Sequence, residues 1–182
     1  VRIVVSGAGA AAVSCTRLYK AFGARDENIV MLDSKGVIRK DRESLSKEKL
    51  EFASDRKIDT LDEAMKDADV FIGVSQANLL TAEDVRTMAP NPVILALANP
   101  DPEIWPEEAY AGGAGVVGTG RSDLANQVNN VLAFPGIFRG ALDIRAKRIT
   151  PRMKCAAAYA IARTINPEDL SKDNLIPNTL DK

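Results

Sequence analysis

The sequence predicts an α/β fold with a doubly wound, mainly parallel β-sheet and helices on both of its faces. Short runs of β-branched and other apolar residues alternate along the chain with segments whose apolar residues recur at helical spacing. Continuous apolar runs are typical of strands that are buried on both faces of a parallel sheet. Parallel strands are joined by helical crossovers, which are right-handed, so the alternation of the two segment types predicts this fold class.

Five short runs have the composition of buried strands. They cover residues 3–5, 28–33, 70–74, 93–97 and, more weakly, 116–117. Ligands of a parallel α/β sheet bind beyond the carboxyl ends of its strands, so the residues that follow each run are the candidate site. These residues are 7–12, Asp33, Val74 and Ser75, 99–100, and 118–123.

Helices are predicted between and after these strands. An apolar helical pattern runs over residues 10–22, and the strongly charged stretch 39–57 predicts a loop followed by a surface helix. Three further helix starts have threonine N-caps, at Thr60, Thr81 and Thr150. Residues 126–146 and 151–163 are predicted to be mainly helical, and the tail over residues 174–182 to be irregular.

The length and charge of the chain restrict its class. A chain of 182 residues can bury one sizeable core. We predict a dinucleotide-binding domain over residues 1–150, followed by a C-terminal helix and tail over 151–182 that pack back on it. The 24 basic and 25 acidic residues nearly cancel, which argues against nucleic-acid and membrane partners. With no signal peptide or membrane-length apolar run, a cytoplasmic protein is expected.

The sequence lacks histidine, so proton transfer by this residue type is excluded. Its two cysteines, Cys15 and Cys155, have no partner at metal-ligand spacing and are typical of a reducing compartment. The chain begins directly with a strand and without methionine, which suggests an incomplete piece of a longer protein.

The first strand leads into a glycine motif with the spacing G-x-G-x-x-A. Gly7 permits a tight turn, Gly9 lets the backbone approach a pyrophosphate, and Ala12 allows close packing of the following helix. The start of that helix presents free N–H groups to an anion. Asp33, at the end of the second strand, could accept hydrogen bonds from an adenosine ribose. This combination predicts a Rossmann-type nucleotide site; the alternative is a plain turn with a solvated Asp33.

The choice between NAD and NADP stays open at this point. A carboxylate at Asp33 favours the free 2′-hydroxyl of NAD, because it repels a 2′-phosphate. The bases Lys35, Arg39, Lys40 and Lys49 follow closely and could neutralise that phosphate, although they are also typical of a solvated surface.

Two amide-bearing segments are further candidates. Asn99 lies just beyond the fourth strand, in a turn stiffened by prolines, where it could contact a ligand or simply form the turn. Four amides then stand within five residues, at Asn126, Gln127, Asn129 and Asn130. Neutral amides can bind a carboxylate or carboxamide, and they can also cap helices. Four amides exceed what helix capping needs, so their number favours a ligand-binding role.

Five blocks of the sequence together resemble the nucleotide-binding part of a malic enzyme of the compact bacterial and archaeal type. These blocks are VVSGAGAAA, LDSKGVI, ALANPDPEI, TGRSDLANQVNNVLAFPGIFRGALD and RITPRMKCAAAYAIA. The resemblance implies oxidative decarboxylation of (S)-malate to pyruvate and carbon dioxide, with NAD or NADP and a divalent metal, Mg or Mn. It also implies a homo-oligomer, commonly a dimer, for the parent enzyme.

The resemblance also implies roles for individual residues. The pyrophosphate would be held by Gly7, Ala8, Gly9, Ala10, Ala11 and Ala12. Asp33 and Ser34 would lie near the adenosine ribose, Asn99 near the nicotinamide and substrate, and Asn130 would contact malate. The catalytic tyrosine and lysine and the acidic metal ligands of the family precede the glycine motif. No catalytic residue or metal ligand is therefore expected in this segment.

Other functions are compatible with the same pattern. A malolactic enzyme would share the malate site and NAD but release lactate, whereas a malic enzyme releases pyruvate. An amino-acid dehydrogenase would share the architecture. A noncatalytic NAD(P)-binding sensor would need only the nucleotide site, and the second amide segment argues against it.

Overall fold

A six-stranded sheet forms the centre of the protein in the computed structural model, which describes residues 1–179. The part of the predicted tail at residues 180–182 lies outside the described residues. The strands are β1 (Ile3–Ser6), β2 (Ile29–Asp33), β3 (Gly36–Val37), β4 (Val70–Gly73), β5 (Val93–Ala96) and β6 (Val116–Thr119). Their order across the sheet is β3-β2-β1-β4-β5-β6.

The sheet is wound in both directions from its centre. All neighbouring strands are parallel except β2 and β3, which are antiparallel. In β1, Ile3 lies opposite Ile29 on one side and Val70 on the other, and the strand order reverses between β1 and β4. This confirms the predicted doubly wound α/β fold, in which the point of reversal opens a crevice for ligands.

Seven α-helices are present among the described residues. They are α1 (Ala10–Ala21), α2 (Lys47–Leu50), α3 (Leu61–Met65), α4 (Ala82–Arg86), α5 (Pro106–Ala111), α6 (Phe134–Asp143) and α7 (Pro151–Ala162). The predicted caps are confirmed, because the hydroxyls of Thr60, Thr81 and Thr150 accept the backbone N–H three residues on. Each satisfies an N–H that the first turn of a helix leaves unpaired.

The core has one layer on each face of the sheet. Val4 of β1 packs in a cluster that includes Ala64 of α3 and Val85 of α4. Its neighbours in the strand point the other way, and Val5 joins Val13 of α1 in the second cluster. Side chains alternate between faces along a strand, so a continuous apolar run is buried on both sides, as predicted.

Three features differ from the sequence prediction. The edge strand β3 was not predicted, because it is only two residues long and follows a tight turn at Gly36, where φ is +98°. Helix α5 was also missed, since it is short and lies next to a proline-rich turn. The predicted helix over 126–146 is wrong at its start: residues 126–129 form a loop, and α6 begins at Phe134.

The C-terminal part of the described chain contacts the sheet domain. The ring of Tyr159 in α7 meets that of Phe22 edge-on, with centroids 5.2 Å apart. The Asn126 amide donates to the Lys172 carbonyl oxygen at 2.7 Å. The domain boundary at residue 150 stays a prediction. No helix within residues 1–179 is long and apolar enough to cross a membrane.

Candidate functional site

A cleft of about 590 Å³ opens at the carboxyl edge of the sheet, where β1 and β4 lie side by side. Six of the residues that the sequence analysis selected line it: Gly7, Ala8, Gly9, Asp33, Ser34 and Ser75. The lining also includes Ser6 and Lys49, of which Ser6 was not predicted. Its position is the crevice at the reversal of strand order, where nucleotides bind in sheets of this type.

Glycine is needed at the two positions of the motif for different physical reasons. Gly7 has a φ of +119°, and a Cβ there would lie 2.7 Å from the carbonyl oxygen of Val74. A side chain is therefore excluded at Gly7 by backbone conformation and by space. Gly9 is extended, with a φ of −81°, and a Cβ there would meet nothing within 4 Å. Gly9 thus leaves open space that a ligand can occupy.

Helix α1 begins directly after Gly9. No side chain within the described part of the chain caps this start by a hydrogen bond, and its first turn has no acidic residue. Ala10 and Ala11 are exposed, while Ala12 is only 1% exposed and packs in the core beneath the helix. The N–H groups of the first turn can thus face an anion in the cleft, which fits a dinucleotide pyrophosphate.

Asp33 is bound on both of its oxygens. Arg42 donates to Oδ1 at 3.0 Å and to Oδ2 at 3.1 Å, and the Lys49 ammonium donates to Oδ2 at 2.6 Å. The Lys35 backbone N–H donates to Oδ1 at 2.9 Å. Burial raises the pKa of Asp33, but these hydrogen bonds outweigh it and hold that pKa well below its usual range.

This arrangement changes the electrostatics that the sequence suggested. Each Asp33 oxygen accepts two hydrogen bonds, which uses the acceptor positions of an ionised carboxylate. The cluster of Asp33, Arg42 and Lys49 has one more positive than negative charge. Arg42 was not among the predicted bases, whereas Arg39 and Lys40 pair with other carboxylates, those of Asp41, Asp59 and Asp55. The edge of the cleft near Asp33 is therefore positive.

A buried carboxylate, also not predicted, lies beneath the next strand ends. Glu103 is fully buried, and its two oxygens accept the backbone N–H groups of Ser75 at 3.1 Å and Ala98 at 3.0 Å. The Ser75 hydroxyl in turn lies 2.9 Å from that of Ser6. Only the prolines around "PDPE" hint at a turn here, and nothing in the sequence indicates which groups Glu103 binds.

The amide-bearing residues lie outside the lining of this cleft. Asn99 is exposed after β5, with a cis peptide bond to Pro100, and Asn130 is exposed at the start of a short 3₁₀ turn. Asn126 is structural: its amide donates to the Val117 carbonyl at 3.0 Å and its oxygen accepts the Leu175 N–H at 2.8 Å. The ligand interpretation is therefore wrong for Asn126.

The described residues form no metal site, and a further one of the predicted amides has a structural role. Within residues 1–179, no group of three His, Cys, Asp or Glu side chains is placed to hold a metal ion. Asn129 accepts the Val131 N–H at 3.0 Å and so caps the turn that begins at Asn130.

Comparison with protein families matches residues 1–181 to the model described as "Malic enzyme, NAD binding domain". The bifunctional malic/malolactic enzyme of Bacillus subtilis is 52% identical, over 100% of this chain and 45% of its own length. The NADP-dependent malic enzyme of Halomonas elongata is 56% identical, over 88% of this chain and 38% of its own.

Solved structures agree with the sequence comparison. The crystal structure of the Entamoeba histolytica malic enzyme has a TM-score of 0.94 and 39% identity, over 99% of this chain and 39% of its own. The chain thus spans less than half the length of the relatives that it matches.

Proposed function

The chain belongs to the family of malic enzyme NAD-binding domains, and on that premise we propose that it holds NAD(P) in an enzyme that oxidises and decarboxylates (S)-malate to pyruvate and carbon dioxide. The main support is the cleft at the reversal of strand order, where the open space at Gly9 meets the uncapped start of α1. The test is to mix the complete enzyme with malate, NADP and Mg²⁺ and to measure NADPH absorbance and pyruvate. Cofactor reduction without pyruvate would contradict the proposal.

The proposed contribution of this chain is binding and orientation. The N–H groups at the start of α1 hold the pyrophosphate, and the residues around Asp33 hold the adenosine end. Asn99 orients the nicotinamide and malate, and Asn130 binds malate. When bound, the nicotinamide supplies a hydride acceptor. We assign proton transfer and the Mg²⁺ or Mn²⁺ ligands to a part of the enzyme outside this chain, as the family resemblance implies.

We further propose that the cofactor is NADP. Because Asp33 already accepts hydrogen bonds from Arg42, Lys49 and the Lys35 N–H, it has little capacity left for ribose hydroxyls. The positive charge left over by Arg42 and Lys49 favours a 2′-phosphate.

The Lys49→Ala variant tests this preference. It should lower the affinity for NADP about tenfold, or roughly 1.4 kcal/mol, and that for NAD much less, because only NADP has the phosphate that Lys49 would bind. Isothermal titration of the complete enzyme with each cofactor measures this. Lys47→Ala, in the same helix α2 but outside the cleft lining, is the matched control. Equal losses for NAD and NADP would show that Lys49 does not select the phosphate.

Asn99 and Asn130 are tested by alanine substitution in the complete enzyme. Each truncation should weaken the interaction with the ligand by about 1–3 kcal/mol, because it leaves a buried ligand group without its hydrogen bond. For Asn130→Ala the loss should appear in kcat/KM for malate, with dinucleotide affinity retained; Asn99→Ala should lower both. Steady-state kinetics with malate and cofactor varied separately give this pattern. Asn166→Ala, a substitution in the exposed C-terminal part of the chain, is the control. If both site variants have wild-type kinetics, Asn99 and Asn130 only form turns and do not bind ligands.

A malolactic reaction is the second candidate, because the Bacillus subtilis relative is described as a bifunctional malic/malolactic enzyme. Lactate in place of pyruvate, with no net reduction of the cofactor, would identify it. For the complete enzyme we propose a cytoplasmic homo-oligomer, such as a dimer. An exposed apolar surface on α6, which includes Phe134 and Leu142, is compatible with burial against another part of that assembly.

A further inference from the structure

Glu103 connects the two halves of the carboxyl edge of the sheet. One of its oxygens accepts the Ser75 N–H, at the end of β4 beside the nucleotide cleft. The other accepts the Ala98 N–H, directly before Asn99. A single fully buried carboxylate therefore fixes the backbone on both sides of the β4–β5 boundary.

The Glu103 carboxyl group packs closely against the end of β4. It lies against Gly73, the last residue of β4, and a Cβ at Gly73 would overlap the carboxyl atoms. Ser75 extends the connection to β1, because its hydroxyl lies 2.9 Å from the Ser6 hydroxyl, next to Gly7. One chain of contacts thus runs from the glycine turn through Ser75 and Glu103 to the residue before Asn99.

We propose that Glu103 is a positioning residue, which holds the Asn99 loop in register with the nucleotide cleft so that the nicotinamide end of the cofactor is oriented for hydride transfer. This inference rests on the proposed function. Glu103 itself is buried beneath the strand ends and acts through the backbone of Ser75 and Ala98. The adenosine end depends on the residues around Asp33, and the pyrophosphate depends on the N–H groups at the start of α1. The hydrogen bonds of Glu103 go instead to Ser75 and Ala98, so binding of the adenosine half of the cofactor should be insensitive to Glu103.

The Glu103→Gln variant tests this in the complete enzyme. Glutamine has the same shape, but its NH₂ group cannot accept a hydrogen bond, so one of the two backbone N–H groups loses its partner. We expect kcat with malate to fall at least tenfold. Affinity for 2′-phospho-ADP-ribose, which lacks the nicotinamide, should stay within about twofold of wild type. Faster amide hydrogen exchange at Ser75 or Ala98 should accompany the change.

Gly73→Ala is a second, independent variant. Its added Cβ displaces the carboxyl group without changing the chemistry of Glu103, so the same loss of kcat with retained fragment affinity is expected. Glu108→Gln is the matched control, because Glu108 also accepts a backbone N–H, that of Ala82 at 3.1 Å, but lies outside the cleft lining. It should leave both measurements unchanged.

The outcomes separate this inference from the proposed function. Wild-type kcat in Glu103→Gln, with faster exchange at Ser75 or Ala98, would overturn the positioning role. Equal losses of turnover and of fragment affinity would also overturn it, because they indicate a general loosening of the sheet edge. If the wild-type enzyme does not oxidise malate, the proposed function fails. The exchange rates, and a comparison of NADPH with fragment affinity, then still test whether Glu103 positions the nicotinamide end.

Discussion

Replacement of Gly9 by valine should lower the affinity for NADP about a hundredfold or more, which corresponds to roughly 2.7 kcal/mol, while the enzyme stays folded. A Cβ at Gly9 meets no atom within 4 Å, and the backbone there is in an ordinary extended conformation, so the fold can accept a side chain. The same side chain would project into the space through which a pyrophosphate must reach the N–H groups of α1. Titration calorimetry of the folded variant measures the effect.

The control for this prediction is Gly140→Val. Gly140 also has nothing within 4 Å of an added Cβ, but it lies in α6 and outside the cleft lining. This variant should bind NADP with wild-type affinity. If Gly9→Val also binds with wild-type affinity and gives a wild-type circular dichroism spectrum, the pyrophosphate does not lie at the glycine turn.

Replacement of Gly7 by alanine should destabilise the fold itself, by about 3 kcal/mol or more. A non-glycine residue held at such a positive φ costs about 1–3 kcal/mol, and here the φ is +119°. The added Cβ would also lie 2.7 Å from the Val74 carbonyl oxygen, so β1 and β4 would have to separate at the floor of the cleft. The loss in the free energy of unfolding is measured by urea unfolding of the complete enzyme, from the unfolding transition that belongs to this domain.

Gly23→Ala separates the two causes. Gly23 has a φ of +99°, but an added Cβ there meets nothing within 4 Å. It should therefore show the backbone cost alone and unfold at a higher urea concentration than Gly7→Ala. Equal destabilisation by the two variants would show that the approach of Gly7 to Val74 adds nothing.

The sequence by itself determined the fold class and the glycine turn, because both depend on residues that are close together in the chain. The apolar runs of β1, β2, β4 and β5 and the threonine caps of α3, α4 and α7 are local patterns, and the structure contains each of them. The spacing of Gly7 and Gly9 likewise identified a turn whose conformation is set within a few residues.

The electrostatics of the site were decided by the tertiary structure, because charged side chains find partners through space. The sequence offered several bases as neighbours of Asp33, and only the folded loop selects Arg42 and Lys49 and pairs Arg39 and Lys40 elsewhere.

Buried polar groups depend on distant contacts in the same way. The Asn126 amide, which looked like a ligand-binding group, is used by the Lys172 carbonyl, 46 residues away. In the sequence, Glu103 is only a charged residue in a predicted turn. In the fold, β4 and β5 lie side by side, and the backbone N–H groups of Ser75 and Ala98 donate to its carboxylate. A buried polar group must find a partner wherever the fold brings one, and that choice is not encoded in local spacing.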